Sequence, residues 1–135
     1  IDGKRVVLID DSIVRGTTSL KIVAMLREAG AREIHMRIAS PPTKHSCYYG
    51  VDTPERAKLL AAQMSIAEMA SYIQVDSLSF ISVDGLYKAV GEASRNPKRP
   101  QYCDACFTGE YPTHLTDLGE RTNPDQLSLA VDKVA

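Results

Sequence analysis

The run Val6-Val7-Leu8-Ile9-Asp10-Asp11-Ser12-Ile13-Val14-Arg15-Gly16-Thr17-Thr18-Ser19 constrains the fold more than any other stretch of the chain. Four consecutive apolar residues leave a strand without a polar face, so both of its sides are expected to be buried, as in a parallel sheet. Two adjacent carboxylates close that strand. A short loop ending at Gly16 then leads into Thr17, Thr18 and Ser19, which open an amphipathic helix. A helix N-terminus carries unpaired N–H groups and partial positive charge, a ready seat for phosphate. An acid pair beside it suits sugar hydroxyls or a hard divalent cation. Together they describe a site for a phosphorylated sugar.

Either half alone is commonplace, since a hydroxyl residue before a helix is often only an N-cap. The order of the parts carries the information. No Gly-Lys-Ser/Thr follows at the spacing of a Walker A loop, and the Gly-x-Gly-x-x-Gly pattern of dinucleotide sites is absent. Residues 6–19 resemble the phosphoribosylpyrophosphate (PRPP) loop of type I phosphoribosyltransferases. In that reading Asp10 and Asp11 hold the ribose hydroxyls or Mg²⁺, and Gly16, Thr17, Thr18 and Ser19 bind the 5-phosphate. Ser12 and Arg15 line the loop, with a solvated surface role for Arg15 nearly as good a reading. Lys44 and Tyr49 are weaker candidates for which structural roles are favoured, and no residue is assigned as catalytic.

The 135 residues, 44% hydrophobic and 24% charged, make one domain's worth of material able to bury a core. A net charge of -1 offers no electrostatic footprint for nucleic acid. The basic cluster Asn96-Pro97-Lys98-Arg99-Pro100 reads as a solvated turn. No apolar run approaches the ~18 residues of a membrane span. Ile1-Asp2-Gly3-Lys4-Arg5 is not a signal peptide, and no initiator Met is present. So little chain precedes a core strand that the sequence reads as the C-terminal portion of a longer protein.

The pattern predicts strands at 6–9, 33–39 and 79–83, the first two parallel through a right-handed crossover. A helix is expected over 18–29 with Gly30 ending it. Thr53-Pro54-Glu55 reads as a helix start, and Ser65-Ile66-Ala67-Glu68 as a capping box opening a helix to about Tyr72. Asp84 is expected to cap a helix over 85–93, followed by irregular structure from Asn96 to Thr113 and a terminal helix from Asp125. Strands alternating with helices give an α/β fold. Residues 1–95 are expected to form one unit and 96–135 a Cys-containing loop region and tail.

Cys103-Asp104-Ala105-Cys106 is a Cys-x-x-Cys pair, with Cys47 as the third cysteine. The spacing fits a metal or cluster clamp, a redox dithiol or coincidence. A redox pair is expected at a helix start after a strand, which the turn-rich flanks do not provide. Three thiolates are one short of a closed zinc site or a [4Fe–4S] cluster. His45 is available as a fourth ligand, but an ordinary loop histidine is the favoured reading.

Three further segments carry a wider resemblance: residues 40–53, residues 76–86, and Cys103-Asp104-Ala105-Cys106-Phe107-Thr108-Gly109-Glu110-Tyr111-Pro112-Thr113. With the loop, they are similar to the glutamine PRPP amidotransferases, in their iron–sulfur branch, from the first strand to about Asn123. The resemblance implies the C-terminal part of a type I phosphoribosyltransferase domain, with a parallel sheet flanked by helices. It implies that Cys47, Cys103 and Cys106 are three of four [4Fe–4S] ligands, the fourth lying upstream. It also implies an enzyme that passes glutamine-derived ammonia to C1 of PRPP, giving 5-phosphoribosylamine, glutamate and pyrophosphate at the start of purine synthesis. Mg²⁺, purine nucleotide inhibitors, a homo-oligomer and a cytoplasmic location come with it. The fragment alone is expected to be inactive. Rival readings are another phosphoribosyltransferase, a PRPP-sensing regulator, or a metal-stapled interaction module.

Overall fold

A computed structural model describes residues 1–115; the terminal helix expected from Asp125 lies outside them. Three strands, β1 (Arg5–Asp10), β2 (Glu33–Ile38) and β3 (Ser77–Phe80), form a sheet in the order β1-β2-β3. Both pairs are parallel, with Leu8 opposite Met36 and Met36 opposite Leu78. The helix α1 (Thr17–Glu28) joins β1 to β2. It ends at Ala29, followed by Gly30 at φ 87°, the left-handed position that glycine fills without strain.

One face of the sheet makes the core. Ile34, Met36, Ile38 and Leu78 pack with Val23 of α1 and with Met69 and Ile73 of α3 (Ile66–Ile73). The expected capping box opens α3: Ser65 Oγ accepts from the Glu68 amide, and the Glu68 carboxylate accepts from the Ser65 amide at 2.8 Å. The other face is polar on β2 and β3, where His35 shares hydrogen bonds with Ser77 and Glu33.

β1 departs from its expected burial on both sides. Val7 is 63% and Ile9 73% exposed, because no described element packs over that face of the sheet.

Two helix starts also differ from expectation. Thr53 does not cap a helix, because its hydroxyl accepts from the Cys47 amide at 2.7 Å. The chain instead makes one 3-10 turn, Arg56–Lys58, before the short α2 (Leu60–Gln63). Ser82 rather than Asp84 caps α4 (Val83–Ala89), accepting from the Gly85 amide at 3.0 Å. The third strand lies two residues earlier than its predicted start. Within the segment expected to be irregular, Ala105–Thr108 form one helical turn, α5. Lys98 and Arg99 sit in an exposed turn whose amides are held by Asn96 Oδ1.

Candidate phosphate site and thiol cavity

Every residue from Asp10 to Ser19 lines one open cavity of about 410 Å³, at the C-terminal end of β1 and the N-terminus of α1. In parallel α/β sheets ligands sit at the carboxyl ends of the strands. All eight residues singled out from the sequence are therefore brought together. Gly16 is the N-cap of α1 at φ 76°, and no side chain caps the helix. The first-turn amides are thus left without a side-chain partner at the cavity. Thr17 and Thr18 are exposed, whereas Ser19 is only 3% exposed.

The loop is held from behind. Ile13 is buried in the core, and the Leu60 amide donates to the Val14 carbonyl at 2.8 Å. At its mouth the Asp11 amide donates to Asp10 Oδ1 at 3.0 Å, and Ser12 Oγ donates to Asp11 Oδ1 at 2.8 Å. Each carboxylate keeps a second oxygen without a protein partner among the described residues. Hard oxygens beside an uncapped helix N-terminus fit Mg²⁺, which takes one or two carboxylates together with substrate phosphates and water.

Sequence reading missed Asp52 and Pro54, which also line this cavity. Nothing local marks them. They reach the site because the Ser46–Pro54 loop closes on itself, through Ser46 Oγ to the Pro54 carbonyl and the Cys47 amide to Thr53. Lys44 and Tyr49 do not line this cavity. Lys44 is exposed, and the Tyr49 hydroxyl pairs with that of Thr113 at 2.7 Å.

Cys47, Cys103 and Cys106 line a second, mostly apolar cavity of about 380 Å³, of which Ser12 and Val14 form a shared wall with the first. All three are free thiols. Burial, and secondarily the neighbouring Cys47 and Cys103, push the Cys106 thiol up from its usual range. The Cys-x-x-Cys pair does flank a helix start, contrary to expectation, although α5 is a single turn and no strand precedes it. His45 does not line the cavity, and its ring packs on Gly109 instead. Burial, with the Arg56 and Lys44 charges, holds its pKa below the usual histidine range.

Among the described residues no three His, Cys, Asp or Glu side chains converge on a single metal ion. The thiols line one shared cavity instead, and soft thiolates around such a volume suit zinc or an iron–sulfur cluster. Ser40 Oγ, buried and unpartnered, belongs to a residue lining the same cavity, where cluster sulfur would be an acceptor for it.

No protein-family model matches the chain. It is 59% identical over 130 residues to the amidophosphoribosyltransferase of Rhizobium etli, covering 96% of this chain and 26% of that protein. It is 58% identical to the chloroplastic amidophosphoribosyltransferase 2 of Arabidopsis thaliana, covering 87% of this chain and 20% of that one. Its structure is similar to that of glutamine PRPP amidotransferase from Bacillus subtilis complexed with ADP and GMP. The TM-score is 0.76 at 53% identity, covering 84% of this chain and 25% of the other. A structure described as the allosteric regulatory enzyme of purine biosynthesis matches with a TM-score of 0.75 at 52% identity, over 84% of this chain and 24% of that one. The chain thus spans about a quarter or less of the length of these relatives.

Proposed function

The chain is homologous to a segment of the amidophosphoribosyltransferases, and we propose that it carries the part of such an enzyme that seats PRPP. The observation that carries this reading is the cavity lined by the unbroken run Asp10–Ser19, with acids at one end and an uncapped helix N-terminus at the other. The 5-phosphate sits on the amides and hydroxyls of Gly16, Thr17, Thr18 and Ser19. Ser12 and Arg15 flank it, and Asp10 and Asp11 orient the ribose hydroxyls. Asp52 closes the rim.

In the reaction of the longer protein, ammonia released from glutamine attacks C1 of PRPP and pyrophosphate leaves, giving 5-phosphoribosylamine for purine synthesis. As the C1–O bond breaks, positive charge builds on the ribose ring. Carboxylates fixed by local hydrogen bonds meet that charge without reorganising. Asp10 and Asp11 would hold Mg²⁺, which would supply charge neutralisation for the departing pyrophosphate. The chain alone binds PRPP without turning it over.

Cys47, Cys103 and Cys106 serve as three ligands of a structural [4Fe–4S] cluster. A cytoplasmic enzyme, homo-oligomeric and inhibited by purine nucleotides, is the corresponding whole; the B. subtilis relative was complexed with ADP and GMP.

Calorimetric titration of the chain with PRPP, with and without Mg²⁺, tests the central part. Saturable binding that strengthens with Mg²⁺ supports it, and no binding to a folded chain counts against it. For the cluster, the longer protein isolated anaerobically should carry about four iron and four sulfide per chain. One zinc and no sulfide would sink that part alone.

A further inference from the structure

Asp104 stands between the two cysteines of the Cys-x-x-Cys pair and, at 4% exposure, is the one buried acid among the described residues. It occupies the N-cap of α5, where an aspartate ordinarily accepts from the first-turn amides. It makes no such bond. Its carboxylate turns into the protein and accepts from Arg95 Nε at 2.5 Å and Arg95 Nη2 at 3.2 Å, a two-pronged ion pair. The hydroxyl of Tyr87, itself 2% exposed on α4, donates to it at 2.9 Å, and Thr108 Oγ1 at 3.2 Å. Arg95 also reaches Glu110 at 2.5 Å, just beyond the clamp.

Cys106 is held from the other side as well. Its carbonyl accepts the amides of both Lys44 and His45 at 3.0 Å, three and two residues before Cys47. The Tyr111 hydroxyl donates to the Ser46 carbonyl at 2.6 Å. The two cysteine-bearing segments are therefore joined by hydrogen bonds while all three thiols are free.

We propose that Asp104 is a positioning residue: locked to Arg95 and Tyr87, it sets Cys103 and Cys106 against the thiol cavity before any metal or cluster arrives. Many small metal sites order only when the ion binds. Here a buried carboxylate fixes the clamp, because leaving either Asp104 or Arg95 unpaired costs far more than the pair itself contributes. The purpose of the lock rests on reading the cysteines as ligands; its geometry does not.

The test is alkylation of the reduced, metal-free 135-residue chain by iodoacetamide, followed at each cysteine by peptide mass spectrometry. Added N-acetylcysteine is the internal reference for the reagent, and amide exchange at Ile34 and Met36 reports the core. Asp104→Asn should speed the reaction of Cys106 by ~10-fold, the equivalent of one hydrogen bond to a charged group, with core exchange unchanged. Arg95→Met should speed it similarly, and the double variant should add little to either, because both break one lock. Arg95→Lys should recover part of the protection.

A purely electrostatic effect on the thiol would move the two single variants in opposite directions, since one removes a negative and the other a positive charge. Opposite shifts, unchanged Cys106 rates, or a rise matched by faster core exchange would each overturn the proposal. A longer protein lacking iron and sulfide, with the alkylation pattern intact, would refute the ligand reading and leave the lock standing.

Discussion

Leu60 Cδ2 lies 2.8 Å from the point where a Cβ on Gly16 would stand, with the Tyr72 ring at 3.3 Å. The candidate phosphate loop is thus packed from behind by α2 and α3, and Gly16 faces two demands. Its φ of 76° disfavours any side chain, and the space behind it is filled. Gly16→Ala should cost about 1–3 kcal/mol from backbone strain, with an added packing penalty. Thr18→Ser, on the exposed side, should stay within about 0.5 kcal/mol. Urea unfolding of both variants checks this, and equal midpoints would mean the loop is not buttressed as described.

The capping box of α3 predicts a smaller, separable loss. Ser65→Ala removes the acceptor of the Glu68 amide and should destabilise the chain by about 1 kcal/mol. Thermal unfolding should register a fall of several degrees. Because Ser65 lies at the far end of α3 from Tyr72, the residue that packs against Gly16, ligand affinity at fixed temperature should change little.

Asp76 makes stability fall in acid. Its carboxylate accepts from the Ile34 amide at 2.6 Å and from Arg27 at 2.7 Å, tying β2 to the start of β3. The Ile34 amide, then Arg27, hold its pKa below the usual aspartate range against a desolvation that raises it. A depressed carboxylate contributes stability that is complete above its unfolded pKa of about 3.9 and is lost as pH falls through the folded value. Asp76→Asn should therefore be less stable than the parent at pH 7, with the gap narrowing below about pH 4. A gap constant from pH 7 to pH 2.5, followed by urea unfolding, would contradict this.

What was legible in the sequence was local. The apolar run, the acid pair and the hydroxyl-rich helix start are neighbours in the chain, so their placement around one cavity follows from strand–loop–helix geometry. The Ser65–Glu68 box is likewise complete within four residues. What escaped depended on partners far along the chain. Thr53 looks like a cap until the Cys47 amide claims its hydroxyl. Asp52 has no local signature, and it reaches the cavity rim through the closure of a loop. Val7 and Ile9 read as buried because four apolar residues in a row do not reveal whether another element covers each face of the strand. Asp104 is unremarkable as the second residue of a Cys-x-x-Cys pair; its role needs Arg95 and Tyr87, nine and seventeen positions away.

The acids at the mouth of the cavity should govern affinity without governing the fold. Asp11 is exposed, and among the described residues its carboxylate accepts only from its neighbour Ser12. Asp11→Asn should therefore leave the unfolding midpoint within about 0.5 kcal/mol of the parent. It should weaken Mg²⁺-dependent PRPP binding by about tenfold or more, the loss of one charge-assisted contact. A large loss of stability, or unchanged affinity, would remove Asp11 from the site.

The most direct test is a titration of the isotope-labelled chain with PRPP and Mg²⁺, followed by amide chemical shifts. The expected changes concentrate at residues 10–19 and at Asp52, are largest at Gly16–Ser19, and are much smaller at the same sub-saturating concentrations in Asp11→Asn. Shifts confined to another part of the chain, or none in a chain whose spectrum shows it folded, would contradict the assignment of this loop as the PRPP seat.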